Sequence, residues 1–133
     1  MSPISREEYE AIALARYFGA CDRRDLDGTL QCLHPEVELI LHTDGRVLQG
    51  RDTQVRALFE DIFVNFLEVE HNNFRSTVDP VNRSIASLYQ VRLVDREGRE
   101  TRSNGCNFWF LDSRSGLFRR IEVFRSQPMG LNA

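Results

Sequence analysis

The chain has 133 residues, 41% of them hydrophobic, and a net charge of −3. That excludes a disordered or low-complexity chain, leaves room for one domain with a real core, and provides no basic field for nucleic acid. All 17 basic residues are arginine, which reads as codon bias and also excludes Schiff-base chemistry, since that requires a lysine amine.

The cysteines Cys21, Cys32 and Cys106 are odd in number and form no C-x-x-C pair, against a disulfide framework or a zinc knuckle. The polar stretch from Met1 to Glu10 predicts no signal peptide, and no apolar run is long enough to span a membrane. A cytoplasmic protein is the expectation, with no nucleic-acid or membrane partner.

Ser5 and Glu8 fit a capping box that opens a first helix. Tyr9, Ile12, Ala13, Arg16, Tyr17 and Ala20 recur at helical spacing up to Asp22. Asp25 caps a short second helix with Leu26, Thr29, Leu30 and Leu33 on one face, and Pro35 closes it. Val37 to His42 alternates as a strand, with Leu39 and Leu41 on one face and Glu38 and His42 on the other. A turn follows at Thr43–Arg46. Asp52 or Thr53 then caps a third helix, whose stripe is Val55, Leu58, Phe59, Ile62, Phe63 and Phe66.

The remainder reads as four strands joined by turns: 68–78, 84–94, 100–111 and 117–125. The third of these organises the chain. Gly105, Asn107, Trp109 and Leu111 share one of its faces; Cys106, Phe108 and Phe110 share the other. Large apolar groups on both faces predict a cover on each, helices on one side and a second subunit on the other. Segregated helices and strands make an α+β domain spanning residues 1–133, with 127–133 as a frayed tail. A curved antiparallel or mixed sheet wrapped by three N-terminal helices would enclose a pocket for a small molecule.

Arg16-Tyr17, Asp25-Leu26-Asp27-Gly28, Leu33-His34-Pro35-Glu36-Val37, Gly50-Arg51 and Gly98-Arg99-Glu100-Thr101 occur in an order that resembles the nuclear transport factor 2-like superfamily. The likeness covers residues 8–126 and is nearest to its SnoaL-like and ketosteroid-isomerase-like branches. It implies a cone-shaped, cystatin-like roll and cofactor-independent proton transfer on an apolar carbonyl compound by an isomerase, cyclase or dehydratase. The superfamily also holds non-catalytic ligand carriers and the structural small subunits of ring-hydroxylating oxygenases, so the fold alone does not decide between them.

By motif, Tyr17 matches the isomerase tyrosine and Asn107 the oxyanion aspartic acid, whose donor role an amide can fill. The position of the aspartate base falls on Leu41, or on His42 after a slip of one residue. Histidine as a residue type titrates near neutrality, which makes His42 the candidate for acid–base work. Each has a plainer alternative: a core phenol for Tyr17, a structural amide for Asn107, an exposed strand-end residue for His42. Leu41, Phe59, Phe63, Trp109, Val123 and Arg125 are the expected substrate-binding residues. Arg125 shares a face with Ile121 and Val123 and could receive a carboxylate or an enolate. His71 could face either way, and the three histidines lack ligand spacing, so no metal is expected. Cys106, Phe108 and Phe110 are the expected homodimer contact.

Overall fold

A computed structural model describes residues 4–128. Helix α1, residues 6–22, consists of three consecutive pieces. Arg6–Glu10 is α-helical and opens on the expected capping box, the Ser5 side chain accepting from Glu8 N and the Glu8 side chain accepting from Ser5 N. Ala11–Phe18 is wound as a π-helix, and Gly19–Asp22 returns to α. Four of its buried residues, Tyr9, Ala13, Tyr17 and Cys21, recur every four positions, with Phe18 and Ala20 buried beside them. On an ideal α-helix that spacing drifts about 40° per step. The wider π winding takes up the drift and keeps one stripe on the core.

Helix α2 is Leu26–Leu30, capped by Asp25, whose Oδ1 accepts from Gly28 N at 2.9 Å. It ends before Leu33, and Pro35 lies inside strand β1, Leu33–Leu41. The helical stripe drawn through Leu33 therefore ran one turn too far. Arg46–Gln49 forms a short edge strand, β2, which begins on the last residue of the expected Thr43–Arg46 turn and was not expected from the sequence. Helix α3 covers residues 50–65, a π-wound Gly50–Val55 followed by the α-helical Arg56–Asn65. Neither Asp52 nor Thr53 caps it: the N-cap is Gln49, and the Thr53 hydroxyl donates back to Gln49 O at 3.3 Å.

Strands β3 (Phe66–Asp79), β4 (Ser84–Asp95), β5 (Glu100–Leu111) and β6 (Phe118–Arg125) complete one six-stranded sheet in the order β2-β1-β6-β5-β4-β3. Only β1 and β6 run parallel; the other pairs are antiparallel. Register shifts interrupt β3 between Phe66 and Glu68 and again between Asn72 and Arg75, where Asn73 takes a left-handed φ of 56°. Such bulges bend a strand. The bent sheet closes over the three helices as an α+β, cystatin-like cone.

The expected alternation holds in β1, β5 and β6. Leu39, Leu41, Asn107, Trp109, Leu111, Ile121 and Val123 are buried, while Phe108 and Phe124 are exposed on the other side. Among the described residues no helix is long and apolar enough to cross a membrane. Of the expected tail at 127–133, residues 129–133 lie outside the described residues.

Candidate active site

The hollow between helices and sheet is real but small, a cavity of about 70 Å³. Its walls are mostly apolar: Leu39 and Leu41 from β1, Leu58, Phe59, Ile62 and Phe63 from α3, Val69 from β3. Five polar side chains interrupt them: Tyr17, His71, Tyr89, Asn107 and Arg125. Such a pocket, with a few placed polar groups, suits a small, largely apolar ligand.

His71 is the most organised of the five. Its Nδ1 lies 2.7 Å from Asp22 Oδ1, and its backbone N–H donates to Asp22 Oδ2 at 3.0 Å. An ionised carboxylate only accepts, so Nδ1 carries the proton and Nε2 keeps a lone pair. The ring stacks on Phe18 at 3.8 Å and 9° and meets Tyr89 edge-on at 5.3 Å. Burial pulls the His71 pKa below its ordinary 6.5, and the hydrogen bond to Asp22 resists that only in part. At neutral pH it is therefore an uncharged, oriented base.

The neighbouring groups are donors. Tyr89 O–H donates to Asn107 Oδ1 at 2.7 Å, which leaves the Asn107 Nδ2 protons without a protein partner among the described residues. The Tyr17 hydroxyl likewise has none. Burial pushes both phenols up, Tyr17 well above its ordinary value, so each stays protonated. Burial also pushes the Cys21 thiol up to about 12, which removes it as a nucleophile near neutrality.

A glycine makes this arrangement possible. A Cβ on Gly105 would lie 2.4 Å from the Tyr89 ring. Gly105 pairs with Tyr89 across β4 and β5, one alternation from Asn107. Only the absence of a side chain lets the phenol lie flat over β5 and reach the amide.

Tyr17, Asn107, Leu41, Phe59, Phe63, Val123 and Arg125 all line the cavity. His42 does not. Leu41 points inward and His42 lies on the outer face, its Nε2 2.8 Å from Glu122 Oε1 and its ring stacked 4.2 Å from Phe124. The acid–base role expected of His42 is corrected accordingly: strand alternation allows one of the two neighbours inward, and leucine takes that place. Trp109, expected as a pocket wall, is fully buried among Tyr17, Phe18 and Phe118 and does not line the cavity.

Sequence reasoning missed His71 as a base, Asp22 as its partner and Tyr89 as the lock on Asn107. For His71 a signal existed: it sits two residues after the buried Val69, on the same strand face. Asp22 offered none, since an acidic residue ending a helix is unremarkable and its partner is 49 residues away. Among the described residues no cluster of His, Cys, Asp and Glu is placed to hold a metal ion.

A search of curated proteins finds no match to this sequence. Among solved structures, a candidate polyketide cyclase from Xanthomonas campestris pv. campestris superposes with a TM-score of 0.76 at 19% identity, over 89% of this chain and 90% of that one. AusH from Aspergillus nidulans gives 0.80 at 14% identity, over 93% and 87%. A candidate SnoaL-like polyketide cyclase from Jannaschia sp. CCS1 gives 0.72 at 15% identity, over 95% and 92%. At these identities the likeness is one of fold. The SnoaL-like domain model matches residues 14–121, which include every cavity-lining residue except Val123 and Arg125: the chain belongs to the SnoaL-like domain family.

Proposed function

We propose that the protein catalyses cofactor-independent proton transfer on a small carbonyl compound, as an isomerase, cyclase or dehydratase. One observation carries this reading: a neutral, buried histidine, oriented by a half-buried carboxylate, in an apolar cavity that also presents unpartnered donors. His71 Nε2 takes a proton from the carbon next to the carbonyl, and the C–H electron pair moves onto the carbonyl oxygen. Asn107 Nδ2 and the Tyr17 hydroxyl donate to that oxygen as charge develops on it. Asp22 stabilises the imidazolium, which returns the proton to another atom or to a leaving group.

The test uses cyclohexane-1,4-dione and related small diketones in D2O, following exchange of the C–H beside the carbonyl by NMR. The chain should accelerate exchange, and His71→Gln should remove the acceleration. Unchanged exchange in His71→Gln overturns the assignment. A second reading is favoured by Leu41: where the isomerase branch places an aspartate base, an inward leucine offers no proton acceptor, which suits a protein that holds its ligand unaltered. A ligand that binds saturably and is recovered without exchange would select that reading.

We also propose a homodimer through the outer sheet face, where Leu88, Phe108 and Phe124 are 45%, 39% and 44% exposed. Cys106 and Phe110, expected in the same contact, are half-buried, and Arg120 lies 4.1 Å over the Phe110 ring. Light scattering at micromolar concentration should give twice the monomer mass; a monomer there rejects the dimer.

A further inference from the structure

The cavity is built of donors and carries positive charge. Arg125 is its one permanently charged residue, and neither aspartate nor glutamate is among the residues that line it. Asp22, behind His71, is already engaged by two N–H groups. The Arg125 guanidinium reaches one weak acceptor, Ser103 Oγ, 3.3 Å from Nη2. Its Nε is buried with no hydrogen-bond partner and forms no ion pair among the described residues. Burial lowers the Arg125 pKa below its ordinary value, while Tyr89 and Asp44 act the other way.

A buried guanidinium is costly unless an acceptor meets its N–H groups. Every other arginine with a described side-chain ion pair meets its carboxylate at the surface. Arg125 instead sits on the last turn of the alternation in β6, inward with Val123. Its planar fork matches a carboxylate in two-point contact.

We infer that the substrate is a carbonyl compound that itself bears a carboxylate, and that the Arg125 guanidinium in the cavity wall receives this group. The inference rests on the proton-transfer reading of the same cavity and adds the substrate class to it. The carboxylate seats on Arg125 and stays chemically unchanged. The carbonyl oxygen takes the free Asn107 donor, and the carbon between or beside these groups faces His71. The apolar remainder lies against Phe59, Phe63 and Leu41. Arg125 is thus the specificity-determining residue of the site.

The experiment compares acids with their own amides. Butanoate, benzoate and phenylpyruvate, each against its primary amide, are titrated into the full chain by calorimetry at neutral pH. The acids should bind about ten- to hundredfold more tightly than the amides, the range expected for hydrogen bonds to a charged group. Arg125→Gln should erase that difference. If Arg125→Gln does not fold, the wild-type comparison decides alone, supported by the Arg125 Nε–H resonance, which should move with acid and not with amide. Equal affinities, or no saturable binding of any acid at millimolar concentration, overturn the inference. His71→Gln should leave the acid preference intact. Diketone exchange that depends on His71 without any acid preference would keep the proposed reaction and reject this substrate class.

Discussion

The molecule builds one three-part arrangement twice, once on each face of its sheet. Inside, His71 meets Asp22 at 2.7 Å and stacks on Phe18 at 3.8 Å and 9°. Outside, His42 meets Glu122 at 2.8 Å and stacks on Phe124 at 4.2 Å and 5°. The local geometry is nearly the same, but the surroundings differ. The His71 side chain is 9% exposed and that of His42 36%. Water screens the outer pair, solvates either protonation state and competes for its hydrogen bonds. Inside, the charged imidazolium is penalised and the neutral, oriented base is kept. A histidine–carboxylate contact is therefore no sign of chemistry by itself; its burial beside a cavity with free donors is.

The comparison breaks most visibly at the two histidines. His71→Gln should lower diketone exchange about 10²- to 10⁴-fold, the range for loss of a general base, while His42→Gln should leave it within about twofold; exchange rates by NMR check both. If the outer substitution had the larger effect, the two sites would have to exchange roles. Asp22→Asn comes next. An amide can donate to Nδ1 and so favour the wrong tautomer, and exchange should fall by at least about tenfold with the cavity intact.

Gly105→Ala tests the lock between the two. The new methyl group meets the Tyr89 ring, so the phenol must leave Asn107. The expected loss is about 1–3 kcal/mol of stability in denaturant unfolding, as for overpacking in a core. An alanine variant as stable as the wild type would mean that Tyr89 moves freely and does not hold the amide.

The smallest effects concern pH and the surface. The His71 pKa is lower folded than its ordinary 6.5, so below 6.5 the unfolded chain binds more protons than the folded one. The contribution of His71 to stability is then complete above about 6.5. It declines as pH falls, until pH drops below the depressed folded value. His71→Gln should flatten that segment of the stability–pH curve; a slope of the opposite sign in the wild type would mean that the ring is charged when folded. Glu122→Gln should change stability by only about 0–1 kcal/mol, as for an exposed pair.

Much of the frame was legible in the sequence because it depends on local periodicity. The capping box at Ser5 and Glu8, the full extent of β5 and the inward alternation of Asn107, Val123 and Arg125 all follow from spacings of a few residues. The errors occur where local signals compete. Thr29, Leu30 and Leu33 fit a helical stripe, yet β1 recruits Leu33, which pairs with Phe118 of β6. Arg46–Gln49 is too short and polar to read as a strand until β1 supplies its partner.

What the sequence by itself determined was the order of the elements other than β2, most of the apolar stripes and which residues of β1, β5 and β6 share a face, since each is a property of neighbours along the chain. Only the tertiary structure decided which residues form the site. It joined His71 to Asp22 across 49 positions, laid Tyr89 over Gly105 to reach Asn107, withdrew Trp109 into the core and turned His42 to the outside. Alternation sorts side chains into two sets, but the bend of the sheet over the helices determines which set becomes a cavity and which groups from distant strands converge there.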